Sequence, residues 1–427
     1  MALLGAALLA TALAASLPAA GAGGRGRSHA IAAAASGPWS EPAPLQDCAA
    51  SGAPAVVFPQ SAPTVATGPG AVIWNAAAAC PGGRGARLAA VGPTDVPGPP
   101  QVPRSAAGAA LELGGALAAA AGPHGEVVIA GAAPRGQGDI LIQGLATGPF
   151  SKLHGAALAP AQPALTSAYL GDVALAAPAG AGGGLLLEVE RHFAHTLQSP
   201  IATGTPATAA VRALTVALDY RSDALLVWQQ GGALYARALP ASGPAHATER
   251  LAAVAGRVHV SALLSDDTRA IIAWSEQDAG RTRVYLERSA AQLAWAGASG
   301  GHWVVRTAAL DLRGEGAGAT ISSSGGGDAL LAGLVPAPDG GALALWTEPQ
   351  PPAVGSPAPT RQALLAARGI DSRPDTTRFG PPETVAPPGP WRDPAAAFDP
   401  ASDRAVAVWK GAGGRLLYAI RNAAGAP

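Results

Sequence analysis

The stretch SDALLVW at residues 222–228 decides the fold, and it is followed by Gly231-Gly232 and by ALYAR at 233–237. A polar turn leads into an apolar run that ends in Trp228, and the glycine pair offers a tight turn before a second apolar run. Short apolar runs bounded by turn residues are typical of β-strands. The stretch therefore predicts a β-hairpin whose first strand ends in Trp228.

Variants of this strand recur along the chain. Aligned on their last residue, the seven copies end at Trp74, Gly131, Ala177, Trp228, Trp274, Trp346 and Trp409. Subtraction gives spacings of 57, 46, 51, 46, 72 and 63 residues. Several strands within a period of this size are the signature of β-propeller blades. We therefore predict an all-β propeller of seven four-stranded blades. Six or eight blades stay open, because the first three copies are degenerate.

Seven of the nine tryptophans fall into two groups. Those that end a repeat strand are predicted to fill the space between blades, since a large ring buries much area there; they are Trp74, Trp228, Trp274, Trp346 and Trp409. Trp295 and Trp391 lie outside that register and fit no predicted strand. These two residues are therefore the candidates for ligand binding by an exposed aromatic face.

The two ends of the chain predict how the repeat array closes. The last repeat stops near residue 422, where its outer strand should begin, whereas GPWSEPAPL at 37–45 offers such a strand at the other end. We predict that the N-terminal strand completes the last blade, because a closed ring leaves no exposed sheet edge. Cys48 and Cys80, the two cysteines, are predicted to form a disulfide that ties this strand to the first blade.

The first 36 residues differ from the rest. Residues 1–20 carry no charge, and AGA at 20–22 offers small residues for cleavage, so we predict a signal peptide over 1–22. An uncleaved membrane anchor is the alternative, since about 20 apolar residues can span a bilayer. Residues 23–36 are predicted to be a disordered spacer and 37–427 the propeller.

Charge and motifs exclude several classes of function. Lys+Arg and Asp+Glu are both 28, so the net charge is zero, which argues against nucleic-acid binding. The sequence contains no P-loop, zinc-protease motif or calcium-binding loop. Neither a cofactor nor a metal is predicted.

The unit from Asp219 to Trp228 resembles the repeats of secreted bacterial β-propeller proteins, and so does the segment from Asp399 to Trp409. The resemblance implies an extracellular or cell-surface protein of a group without assigned activity. The layout is also similar to that of sialidase-type propellers. Their Asp-box, Ser-x-Asp-x-Gly-x-x-Trp, is absent here, which argues against sialidase activity. The aspartates before the strands are expected to close turns by bonding backbone amides.

Two further features are candidates for function. Glu188, Glu190 and His192 would share one face of a strand, where they could serve acid–base chemistry or bind a metal; a solvated outer strand is the alternative. The wide spacings place extra residues at 292–327 and 349–361, which are predicted to be long loops suited to recognition.

The leading functional prediction is a secreted, non-enzymatic binding or scaffold module for a protein or a polysaccharide. A monomer is expected, with no membrane span after signal cleavage. The alternative is a glycan-active hydrolase or lyase on the same scaffold, with acidic residues drawn from separate blades.

Overall fold

The computed structural model describes twenty-four ranges of the chain, which are 38–59, 68–92, 96–111, 113–122, 125–132, 139–145, 148–153, 164–167, 172–179, 184–190, 201–202, 211–219, 222–240, 248–254, 258–264, 270–276, 291–299, 302–310, 319–320, 330–336, 342–350, 361–370, 378–399 and 402–422. Within them the chain forms 28 β-strands and one short 3-10 helix, Ala412–Gly414. The all-β prediction is confirmed. The predicted signal peptide and spacer lie outside the described residues. Within those ranges, no helix is long and apolar enough to cross a membrane.

Three consecutive four-stranded sheets form between residues 114 and 253, and each is an antiparallel meander in chain order. The first contains β4 (Gly114–Ala121), β5 (Glu126–Ala132), β6 (Asp139–Leu145) and β7 (Phe150–Leu153). The second contains β8 (Ala164–Ser167), β9 (Val173–Ala179), β10 (Gly184–Glu190) and β11 (Ile201–Ala202). The third contains β12 (Val211–Leu218), β13 (Ala224–Gln230), β14 (Ala233–Leu239) and β15 (Glu249–Ala253). β13 and β14 are the hairpin predicted around Trp228.

Strands β16 to β25 form sheets of two, three and five strands. β16 (Val258–Leu264) pairs with β17 (Ala270–Glu276), and β18 (Ala291–Ser299), β19 (His302–Leu310) and β20 (Ala319–Thr320) form a three-stranded sheet. A five-stranded sheet contains β21 (Leu330–Pro336), β22 (Ala342–Gln350) and β23 (Arg361–Ile370), with β24 (Arg378–Phe379) and β25 (Glu383–Gly389) both paired to β23.

The prediction of a long loop over 292–327 is wrong, because the segment contains a β-hairpin. It contains most of β18 and all of β19, which pair from Ala291↔Leu310 to Ser299↔His302. The sequence signal is the pair Gly300-Gly301 between two apolar runs, which favours a two-residue hairpin turn. The strand-forming residues on either side outweigh the Gly/Ser content of the segment as a whole. The second predicted loop, 349–361, lies largely outside the described residues.

The N-terminal strand β1 (Ala43–Val57) belongs to two sheets. Its first half pairs with the last strand, β28 (Arg415–Arg421), and its second half pairs with β2 (Gly70–Ala76). The six strands lie in the order β26 (Arg392–Asp399), β27 (Arg404–Lys410), β28, β1, β2 and β3 (Gly85–Val91). The predicted pairing of the N-terminal strand with the last repeat is confirmed.

A disulfide between Cys48 and Cys80 lies where β1 changes partners, with the two Cα atoms 5.3 Å apart. Ala49 pairs with Arg415 of β28, whereas Ala50 pairs with Ala76 of β2. The predicted disulfide is therefore confirmed, and it fixes β1 to the turn after β2 at the junction of the two sheets.

The turn that holds Cys80 is organised by Arg87 of β3. The Arg87 guanidinium is buried and donates to the carbonyl oxygens of Ala86, Gly83 and Pro81 at 3.0, 2.8 and 3.2 Å. Burial lowers the pKa of the Arg87 guanidinium below its usual range. Because Pro81 and Gly83 belong to the turn and Arg87 to β3, these bonds tie the disulfide loop to the strand that follows it.

A second junction joins the ends of the chain ahead of β1. Trp39 forms an isolated β-bridge with Arg421, and its indole N–H donates to Glu383 Oε2 at 2.9 Å. Arg421 binds the same carboxylate with two hydrogen bonds, from Nε at 2.8 Å and from Nη2 at 2.7 Å. We call Trp39, Glu383 and Arg421 the terminal clamp, because it links the N-terminal segment, β25 and β28.

All seven predicted repeat strands are strands in the structure, and each follows the first strand of its sheet: β2, β5, β9, β13, β17, β22 and β27. Trp74, Trp228, Trp346 and Trp409 have no solvent-exposed surface. The side chain of Trp274 lies outside the described residues. The near-continuous apolar sequence of these strands suits their burial on both faces.

The hydrophobic core lies between the faces of neighbouring sheets. Trp228 packs with Ala174 and Ala176 of the preceding sheet, and Trp409 packs with Leu343 and Leu345 of the sheet before it. Trp228 and Trp409 therefore both face the sheet that precedes their own in the chain. Side chains alternate between the two faces of a strand, so neighbouring residues can face the following sheet.

The first strands of successive sheets also contact one another. The contacts run in series through β1, β4, β8, β12, β16, β21 and β26, and β26 contacts β1 again. In addition, β18 lies beside β17.

Candidate functional site

An open cleft of about 460 Å³ lies between the loop that follows β3 and the residues that lead into β7. Its lining residues are Leu88, Gln101, Val102, Pro103, Arg104, Ser105, Ala106, Gly108, Gly148, Pro149 and Phe150. The cleft exists because the loop turns back on β3: Leu88 and Gln101 exchange backbone hydrogen bonds of 2.9 and 2.7 Å. The loop residues Gln101 and Arg104 are exposed at its rim.

The loop at 104–110 is held in one conformation by its own hydrogen bonds. Arg104 and Ala110 form an isolated β-bridge. The Gly108 N–H donates to the Ser105 carbonyl at 2.8 Å, and the Ala109 N–H donates to Ser105 Oγ at 3.2 Å. The Arg104 side chain folds back so that Nη1 donates to the Gly108 carbonyl at 2.8 Å. The Phe150 N–H donates to the Arg104 carbonyl at 2.8 Å, which ties the loop to β7.

The cleft combines one positive charge with an apolar floor. Leu88 and Phe150 are buried beneath it, and Pro103 and Pro149 line its sides. Arg104 is the charged member of the lining, which includes no carboxylate. Arginine offers planar donors and the Gln101 amide offers both a donor and an acceptor. The arrangement can therefore bind a small polar ligand that carries a negative group.

Sequence reasoning missed this cleft. The residues at 96–111 are mostly Pro, Ala, Gly and Val, and such a composition indicates a loop without indicating a site. The cleft depends on the pairing of Gln101 with Leu88 and on the approach of Phe150, which residue types in the loop do not encode.

Trp391, one of the two predicted contact residues, lies between β25 and β26 and is half-buried. Its ring meets that of Trp409 edge-on at a centroid distance of 6.0 Å, and its indole N–H donates to the Pro387 carbonyl. A Cβ placed on Gly389 would approach the Trp391 ring to 2.3 Å, so the ring lies directly on that glycine. Part of the ring is thus committed to packing, and a role in ligand binding stays a prediction.

Trp295, the other predicted contact residue, lies in β18, opposite Arg306 of β19. The expectation that it belongs to no strand is wrong, because the hairpin of β18 and β19 extends through it. Its side chain lies outside the described residues.

The acidic strand of the sequence is β10, the third strand of its sheet, with Glu188 opposite Leu175 and Glu190 opposite Val173. His192 lies outside the described residues. Among the residues that are described, no group of three or more His, Cys, Asp or Glu side chains could hold a metal ion.

The buried repeat tryptophans reveal a pattern that the sequence analysis missed. The Trp228 indole N–H donates to Gln230 at 3.3 Å, and that of Trp346 donates to Glu348 at 3.1 Å, two residues later in each case. Trp74 has Ala76 at that position, and Gln46 of β1 supplies the acceptor instead, at 2.7 Å. An acceptor at the second residue after the tryptophan is the signal that could have been found.

Buried carboxylates in the described residues are engaged in holding the framework together. Asp219 accepts a hydrogen bond from the Asp223 N–H at 2.9 Å, which confirms the predicted turn role, and Asp399 accepts one from Ser402. Asp172 accepts one from Ser222 and so links two sheets. With Glu348 on Trp346 and Glu383 in the terminal clamp, these acids all bond to parts of the scaffold.

No protein-family model and no curated protein matches this sequence. Solved β-propeller structures resemble the chain at low identity. A fungal fucose-recognising lectin from Aleuria aurantia, with a six-bladed β-propeller fold, is 12% identical over 71% of this chain and 89% of its own, with a TM-score of 0.38. The β-propeller domain of the Trilobed protease from Pyrococcus furiosus is 9% identical over 86% and 93%, with a TM-score of 0.43.

A polysaccharide lyase that acts on ulvan is 11% identical over 87% of this chain and 95% of its own, with a TM-score of 0.49. At these identities and TM-scores, neither a ligand nor an activity transfers from these proteins to this chain.

Proposed function

We propose that this chain is a secreted β-propeller that acts as a non-enzymatic binding or scaffold module for a polysaccharide or a protein. The observation that carries the proposal is the role of four buried acids and of the partly buried Glu383. Asp172, Asp219, Glu348, Asp399 and Glu383 hold turns, neighbouring sheets and the chain ends together. A glycan hydrolase needs a pair of carboxylates that face a substrate, whereas a binding module needs a rigid scaffold with a shaped surface.

We further propose seven blades in a ring closed by the N-terminal strand. The serial contacts of seven first strands, and the return contact between β26 and β1, support this number over six or eight. β18 and β19 would then be an addition to the fifth blade, beside β17. The bond between Cys48 and Cys80 fits an oxidising compartment outside the cytosol.

For the protein in its cellular setting, we propose cleavage after residue 22, a spacer over 23–36 and a propeller over 37–427. The mature protein would be an extracellular or cell-surface monomer without cofactor. Trp295 and Trp391 stay proposed contact residues. A mass spectrum of the protein recovered after export tests the first of these proposals, since cleavage at the expected place leaves Gly23 as the N-terminus.

The experiment that tests the function incubates the exported protein with a panel of insoluble and soluble polysaccharides. Depletion of the protein and release of new reducing or unsaturated sugar ends are measured in the same tubes. Depletion without new ends is expected. New ends would overturn the non-enzymatic proposal in favour of a hydrolase or lyase. Absence of both would contradict polysaccharide binding and direct the search to a protein partner.

A further inference from the structure

The cleft beside Arg104 carries a more specific inference, which rests on the proposed function. We infer that it binds an anionic sugar unit of a polysaccharide, through a carboxylate or sulfate group held by the Arg104 guanidinium. The formal net charge of the chain is zero, so the preference for an anionic ligand does not come from the overall charge. It follows from the local arrangement of the loop.

The first argument is the fixed position of the guanidinium. One of its five N–H donors bonds to the Gly108 carbonyl, and the loop that carries it is closed by the bonds of Ser105. Within the described residues, the other donors of Arg104 have no protein acceptor. A donor group that is already held in place loses less entropy when a ligand binds.

The second argument is charge. Among the described residues, the cleft lining offers Arg104 no carboxylate to balance its positive charge. The planar fork of arginine matches carboxylate and sulfate oxygens with two parallel hydrogen bonds. The side-chain amide of Gln101, exposed at the same rim, can bond to neighbouring hydroxyl groups.

The third argument is shape. A volume of about 460 Å³ lies within the usual range of small-ligand sites, about 300–1,000 Å³. A protein partner usually covers about 800 Å² of the surface that it binds. A cleft of this size is therefore better suited to one sugar unit than to a protein. Pro103, Pro149 and the floor residue Phe150 offer apolar contacts for the C–H faces of a sugar ring. A sugar unit of a chain that passes through the open cleft fits these features.

The test uses two matched pairs of immobilised glycans and the full exported protein. Polygalacturonate and its methyl ester share one backbone and differ in carboxylate charge, and dextran sulfate and dextran differ in sulfate. Wild-type protein is expected to bind at least one anionic member and not its neutral partner. Arg104→Ala should weaken that binding by about tenfold or more, and Arg104→Lys should weaken it less, because the charge remains.

The matched control is Arg250→Ala, which removes an exposed arginine from β15 and is expected to leave binding unchanged. Equal thermal unfolding of all variants shows that the exposed substitutions leave the fold intact. The pair that responds tells a carboxylate ligand from a sulfate ligand.

Equal binding of anionic and neutral members would overturn the inference and leave the proposed binding function standing. The same holds if Arg104→Ala binds as tightly as wild type. If no glycan of the wider panel is depleted either, both the inference and the polysaccharide half of the proposed function fail.

Discussion

Removal of the Glu383 carboxylate is expected to open the junction between the two ends of the chain. Glu383 accepts one hydrogen bond from Trp39 and two from Arg421. The Arg421 side chain is 8% exposed, so Glu383→Ala would leave a buried guanidinium without its counter-ion. Loss of one partner from a buried ion pair costs about 3–5 kcal/mol, and since the Glu383 side chain is 18% exposed, we expect about 3 kcal/mol, at the lower end of that range.

Two measurements follow from that value. The urea midpoint should fall while the slope stays constant, since the surface exposed on unfolding is unchanged. Amide exchange should accelerate at Ser40, whose N–H donates to the Ile420 carbonyl, and at Ile420, whose N–H donates to Ser40 Oγ. The acceleration should be about 100-fold if local opening bears the whole cost.

Two variants control the interpretation. Glu41→Ala removes an exposed carboxylate from the same segment and is expected to change stability by less than about 0.5 kcal/mol. Combining Glu383→Ala with Arg421→Met should recover part of the loss, because no unpaired charge is then buried. If Glu383→Ala unfolds and exchanges as the Glu41→Ala control does, the terminal clamp does not hold the ends together and the reasoning is refuted.

Three further tests use urea unfolding of substituted proteins, each directed at a different contact. Replacing Cys48 and Cys80 by alanine should cost about 3–4 kcal/mol through the freed loop; an unchanged midpoint would contradict this. Trp346→Phe should cost about 1–3 kcal/mol more than Trp409→Phe, because the Trp346 indole N–H bonds to the buried Glu348, whereas that of Trp409 has no acceptor among the described residues; equal losses would argue against the bond. Gly389→Ala should cost about 1–3 kcal/mol by displacing a tryptophan ring, and unaltered stability and tryptophan fluorescence would count against this.

Local sequence patterns predicted much of the fold. The strand that ends in Trp228 and its six counterparts could be recognised because apolar runs between turn residues encode strands wherever they occur. The pairing of the chain ends could be predicted because a repeat truncated at one end and a spare strand at the other complement each other. The pairing of Cys48 with Cys80 needed only their number and the expected compartment.

The features that the sequence did not reveal depend on contacts between distant residues. The terminal clamp joins Trp39 to Glu383, 344 positions apart, and no pattern in either segment indicates the other. The Arg104 cleft arises from a loop that folds back on β3. In the segment 292–327, the Gly/Ser-rich composition predicts a loop, whereas the order of the residues, with Gly300-Gly301 between two apolar runs, favours a hairpin.

The sharing of β1 between two sheets has a consequence for biosynthesis. Residues 38–49 are synthesised long before their partner β28, because Ser40 and Ile420 are 380 positions apart. Their pairing is therefore a late folding event, which cannot precede the synthesis of residue 420.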